Sequence, residues 1–167
     1  MIELIHFSDV DYNLQMQTRL WRNCEQVVPY FKIKHIDEAV HKKWLESLKV
    51  QNPRNVAFLI VYEGVNVGVT YFHSIDYEKK CADWGMYIYL ADYKGKGIGM
   101  QTLEKCIAYA KDVLKMKCLY LDVLATNERA VRLYEKCGFR FVGAIVCLSD
   151  KFIPMNKDVY IIPVSYI

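Results

Sequence analysis

The chain has 167 residues, with 22 Lys and Arg against 19 Asp and Glu and a formal net charge of +3. At 53% hydrophobic and 25% charged residues it is expected to fold as one domain over 1–167 with a full core, which excludes a disordered polar chain. No segment reaches the roughly 18 apolar residues of a membrane-spanning helix, and the small, unclustered charge argues against nucleic acid as the main partner.

The N-terminal residues lack a basic n-region and a long apolar h-region, so a cytoplasmic location is expected and no membrane partner. Cysteines at 24, 81, 106, 118, 137 and 147 show neither zinc nor redox spacing. They read as thiols of a reducing compartment. His6, His35, His41 and His73 form no recognisable ligand pair, so no metal is expected.

In chain order, residues 2–7 alternate as a short strand, and Ser8-Asp9 offers a turn or cap. Leu14, Met16, Leu20 and Trp21 mark a helix over 13–24, broken at Val27-Val28-Pro29-Tyr30. Asp37 is placed to cap a second helix with Ala39, Val40, Trp44, Leu45 and Leu48 on its apolar face, ending before Asn52-Pro53. Strands over 56–62, 67–72 and 81–89 follow, joined by turns at Glu63-Gly64 and 76–80, and predict an antiparallel meander. Leu103, Ile107, Ala110 and Leu114 then recur every three or four residues on a long helix. A buried strand over 118–124, a short helix over 128–136 closed by Gly138, and two strands over 140–148 and 158–164 complete the chain. Strands followed by a βαβ unit imply a mixed sheet with helices on its faces.

The most informative stretch runs from Asp92 to Met100, between the third meander strand and the long helix. Gly95, Gly97 and Gly99 leave backbone N–H groups uncovered beside a helix start, where the dipole favours an anion. Lys94 and Lys96 bring charge of matching sign, or form a plain solvated turn. A phosphate or pyrophosphate ligand is expected there. The loop lacks the Lys-Ser/Thr ending of a P-loop, and no Gly-x-Gly-x-x-Gly unit has an acidic residue about 20 positions on.

Three motifs in order resemble the GNAT family of acetyl-CoA-dependent N-acetyltransferases. They are the strand Ala82-Asp83-Trp84-Gly85-Met86-Tyr87-Ile88, the glycine loop, and the run Asn127, Glu128, Ala130, Leu133, Tyr134, Glu135, Lys136, Gly138, Phe139. Lys94 stands where the family more often has Gln or Arg. A narrower resemblance, carried by Trp21-Arg22-Asn23, Trp44-Leu45 and Asp83 to Tyr87, points to the branch that acetylates UDP-linked 4-amino sugars in pseudaminic acid biosynthesis and flagellin glycosylation. Ribosomal-protein alanine and polyamine acetyltransferases share much of the pattern. A coenzyme A-binding module without catalysis is the alternative of another class.

The resemblance implies an α/β (α+β) GNAT fold: a mixed, mostly antiparallel seven-stranded sheet with helices on both faces. It implies acetyl-CoA as cosubstrate, held by Lys94, Gly95, Lys96, Gly97, Ile98 and Gly99 at the pyrophosphate and by Met86, Tyr87, Ile88, Asn127 and Tyr134 along the arm. A backbone N–H at Tyr87 or Ile88 would polarise the thioester carbonyl. Tyr134 is the expected general acid, since its ordinary pKa of about 10 keeps it protonated at neutral pH, or else it is a packing residue. Asp83 is the expected base, drawing the amine proton through water, with His73 as the alternative base or a substrate contact. Trp21, Arg22, Asn23, Tyr71, His73 and Trp84 are the candidate acceptor contacts. For Trp21 a core anchor, and for Arg22 a partner of the helix dipole, are the simpler alternatives. Asn127 also suits a helix N-cap. A small-molecule amine, a nucleotide-activated amino sugar, is the expected partner, with the strands over 140–164 available for a homodimer.

Overall fold

The computed structural model describes residues 1–148 and 154–163. Among the described residues seven strands and four α-helices follow one another as β1 (Ile2–His6), α1 (Tyr12–Arg22), α2 (Glu38–Ser47), β2 (Val56–Tyr62), β3 (Val65–Asp76), β4 (Cys81–Ile88), α3 (Ile98–Asp112), β5 (Cys118–Leu124), α4 (Glu128–Lys136), β6 (Arg140–Leu148) and β7 (Pro154–Pro163). They build one mixed sheet in the order β1-β2-β3-β4-β5-β7-β6. Every neighbouring pair is antiparallel except β4–β5. No helix among the described residues is long and apolar enough to cross a membrane.

Helices cover both faces of the sheet, which is why Val56-Ala57-Phe58-Leu59-Ile60-Val61 is buried throughout rather than at alternate positions. On one face Leu103, Cys106, Ile107 and Ala110 of α3, with Tyr134 of α4, pack on Phe58, Phe72, Trp84 and Leu121. On the other, Trp21 of α1 and Leu45 of α2 pack on Leu59, Val69 and Tyr87. The two-residue alternation along β4 therefore sends Trp84 and Met86 to the α3 side and Tyr87 to the α1 side. Glu63 and Gly64 both take positive φ, 50° and 78°, as a two-residue type I′ hairpin requires.

Several local expectations are corrected. Leu20 is exposed, and α1 buries Gln15, Thr18 and Trp21 instead. Gln15 tolerates burial because its amide donates to the carbonyls of Phe7 and Val10 at 2.6 and 2.9 Å. Val40 is exposed as well. The side chain of Asp37 makes no capping bond to α2, and pairs with His35 at 3.3 Å. At α1 the cap is Asp11, which accepts the Leu14 N–H at 3.0 Å. β3 is longer than 67–72, and β7 starts at Pro154 rather than 158. Val164, the expected end of that strand, lies outside the described residues.

Candidate functional site

β4 and β5 pair over only three residues, Cys81 to Asp83 against Cys118 to Tyr120. Beyond that the strands diverge, and a cleft of about 550 Å³ opens against Met86, Tyr87 and Ile88. Asn127, Leu133 and Tyr134 of the α4 region form the opposite wall. The N–H of Tyr89 donates to the Val67 carbonyl at 3.0 Å. Alternate residues of an antiparallel ladder point the same way, so the Tyr87 N–H also faces β3. Of the two expected donors, Ile88 is the one turned to the gap.

The glycine loop forms one end of this cleft. Gly95 and Gly97 take φ of 92° and 76°, in the left-handed region that favours glycine. Gly97 caps α3, and no side chain satisfies the first N–H groups of that helix. A Cβ on Gly95 would lie 3.3 Å from the Arg129 guanidinium. Lys94, Arg129 and Lys136 all line the cleft. An uncapped helix start in a cleft lined by three cations fits a pyrophosphate. Lys94 donates to the Gln26 carbonyl at 3.1 Å, while the Lys96 ammonium lies 4.7 Å over the Tyr93 ring and outside the cleft lining.

Tyr134 is half-buried and meets Trp84 edge to face with ring centroids 6.0 Å apart. Burial first, then the neighbouring Tyr71 and the charge of Asp122, keep its hydroxyl protonated well above the ordinary tyrosine range. Asn127 caps α4 by accepting the Ala130 N–H at 3.3 Å and also lines the cleft, so both of its expected roles are open to it.

A second cavity of about 400 Å³ lies beyond a wall made by Phe31 and Tyr87, which line both spaces. Tyr87 is fixed there by donating its hydroxyl to the Thr18 carbonyl at 3.0 Å. Tyr71 lies over Gly85, where a Cβ would come within 2.8 Å of the tyrosine hydroxyl. Burial pushes the Tyr71 hydroxyl up to about 12. Arg22 and Lys32 bring two cations to this cavity, and no carboxylate is among its lining residues. The Arg22 guanidinium stacks 3.6 Å over the Phe31 ring and donates to the Ile33 carbonyl at 3.0 Å. Its Nη1 is shielded from water and has no hydrogen-bond partner among the described residues.

The remaining predicted residues stand apart from both linings. Trp84 is 3% exposed, so its ring offers no free face for a sugar or base to stack on. Trp21 stacks on Tyr89, centroids 4.4 Å apart. Asn23 spends its amide on the backbone of Ile36, at 2.9 and 2.8 Å. Asp83 and His73 are register partners 3.8 Å apart and 40% exposed. Sequence reasoning missed Arg129 and Lys136, although both sit inside the α4 motif. It also missed Phe31, Lys32 and His41, for which periodicity holds no signal.

A profile described as the Acetyltransferase (GNAT) family matches residues 15–139, and the chain belongs to that family. It is an N-acetyltransferase, and acetyl-CoA is its acyl donor. The chain is 28% identical over 139 residues to Acetyltransferase PseH of Campylobacter jejuni, covering 83% of this chain and 85% of that protein. It is 36% identical over 59 residues to the spermine/spermidine N(1)-acetyltransferase of Bacillus subtilis, covering 35% of this chain and 39% of that one. Among solved structures, spermidine N-acetyltransferase from Vibrio cholerae in complex with CoA and spermine superposes with a TM-score of 0.83 at 19% identity, covering 98% and 96% of the two chains.

Proposed function

We propose that this chain acetylates the amine of a nucleotide-linked amino sugar, the 4-amino group of a UDP-linked 4-amino-4,6-dideoxy sugar of the pseudaminic acid pathway. The observation that carries this is the second cavity: Arg22 with an unpartnered Nη1, Lys32 beside it, aromatic walls, and no lining carboxylate. A diphosphate is an anion that Arg22 can bind with paired donors, and the aromatic rings suit a uracil. A polyamine would bring positive charge to a cavity that already holds two cations. The likeness to PseH, spread over most of both chains, supports the same choice.

Acetyl-CoA supplies the acetyl group as a thioester. The Ile88 N–H is the donor placed to polarise the thioester carbonyl, an oriented bond typically worth about 3 kcal/mol in the transition state. The Lys94 to Gly99 loop holds the pyrophosphate, with Arg129 adding charge. Tyr134 donates its proton to the leaving sulfur. Asp83 with His73 offers an acceptor for the amine proton through water, and Asp122 brings a further carboxylate on β5.

Release of free thiol from acetyl-CoA with a UDP-linked 4-amino sugar is the expected result, and Arg22→Ala should raise the KM for that sugar by roughly tenfold or more, the weight of a charged hydrogen bond. Turnover with spermidine or an N-terminal alanine peptide, and none with the sugar, would move the function to those acceptors.

A further inference from the structure

Residues 26–36 form one wall for two cavities. Val27 and Tyr30 face the cofactor cleft, Lys32 and Ile33 face the second cavity, and Phe31 borders both. Backbone bonds hold the first part of the segment, where the Tyr30 N–H reaches Val27 and the Phe31 N–H reaches Val28. Beyond Phe31 the hold passes to side chains from the end of α1. Asn23 grips Ile36 through both of its backbone groups, donating to the carbonyl at 2.9 Å and accepting from the N–H at 2.8 Å. Arg19 adds a bond to the same carbonyl at 3.3 Å. Arg22 holds the Ile33 carbonyl and the face of Phe31. At the other end, Lys94 of the glycine loop holds the Gln26 carbonyl.

We propose that Asn23 is a positioning residue which, by fixing this segment, makes occupancy of the acceptor cavity and of the cofactor cleft strengthen each other. The proposal rests on the anionic-acceptor reading above. An anion on Arg22 Nη1 immobilises the guanidinium, and the guanidinium in turn immobilises Phe31. A ligand arriving in the cofactor cleft then meets a wall that is already ordered, and part of its ordering cost has been met. Reciprocity requires the same factor in the opposite direction. Asn23 touches neither cavity, yet without its two bonds Ile36 keeps only the Arg19 bond to its carbonyl, its N–H loses its partner, and the far end of the segment that carries Phe31 is loosened.

The test is calorimetric titration of the whole protein with coenzyme A, with and without saturating uridine diphosphate, and the converse titration. In the native protein each ligand should lower the Kd of the other about fivefold, at the low end of known couplings. In Asn23→Ala both ratios should fall to near one, while the Kd for coenzyme A alone stays within twofold. In turnover the same variant should raise the KM for the acceptor and leave kcat within twofold. Asn23→Asp, which keeps the acceptor but loses the donor, should fall between. If Asn23→Ala melts below the assay temperature, Phe31→Leu serves instead and should show the same loss of reciprocity. Uridine diphosphate that binds without changing the coenzyme A Kd would overturn the coupling and leave the acceptor class standing. No binding of uridine diphosphate at all would overturn both. Full coupling in Asn23→Ala would remove Asn23 from the role.

Discussion

Tyr134 shows how a single residue's surroundings define its chemistry. It lines the cleft with Met86 and Asn127, and burial raises the pKa of its hydroxyl. A raised pKa means the acid form persists to higher pH than in a free tyrosine. The rate should therefore show no loss from this group's deprotonation up to about pH 10, its unperturbed value. Tyr134→Phe should lower kcat on the order of a hundredfold, the usual weight of a general acid. A pH profile of kcat for both proteins checks this, and a basic limb below pH 10 present only in the native enzyme would contradict it. Tyr134 was legible in the sequence because it sits in an ordered run of motif residues. Arg129 occupies the same run and was not, because only the approach of α4 to Gly95 turns a surface cation towards the glycine loop.

At the scale of elements, the glycine loop and α1 behaved differently. The loop was read correctly as a bare helix start because glycine spacing is a backbone property, local to the sequence. Gly97→Ala should cost roughly 1 to 2 kcal/mol, the penalty for a side chain in the left-handed region. It should also raise the KM for acetyl-CoA more than that for the acceptor, which thermal melts and initial rates would show together. Gly99 is closely packed as well, since a Cβ there would lie 3.1 Å from the Leu133 side chain, which would have to give by a few tenths of an ångström. In α1 the apolar pattern misled. Leu20 is exposed and Gln15 and Thr18 are buried, because burial of a polar group depends on the partners it finds. Gln15 finds two carbonyls in the turn over Phe7–Asp9 and Val10, and Thr18 finds the Gln15 carbonyl at 2.7 Å. The Thr18 bond is local to the helix, whereas the carbonyls that satisfy Gln15 lie outside it and are not visible in a helical period.

The whole molecule brings α1 and α2 together around His41, which is 6% exposed and donates its Nε2 proton to the Gln15 carbonyl at 2.9 Å. Burial lowers its pKa below the ordinary 6.5. A base with a depressed folded pKa takes up its proton more readily when unfolded, so stability is complete above about pH 6.5 and declines as pH falls through the folded value. The melting temperature should therefore drop between pH 7.5 and 5.5, and His41→Gln should flatten that slope. An unchanged slope would place the acid sensitivity elsewhere. By itself the sequence determined the order of the elements, the sheet's helix-covered faces, the bare helix start at the glycine loop and the motif that carries Tyr134, because each is written in periodicity or in a short contiguous motif. Only the tertiary structure decided where β4 and β5 part and which backbone N–H faces the gap. It also decided that the Trp84 ring is buried and that residues 26–36 separate the two cavities. These depend on strand register and on groups far apart in the chain, such as the Lys94 ammonium and the Gln26 carbonyl, meeting only once the sheet is assembled.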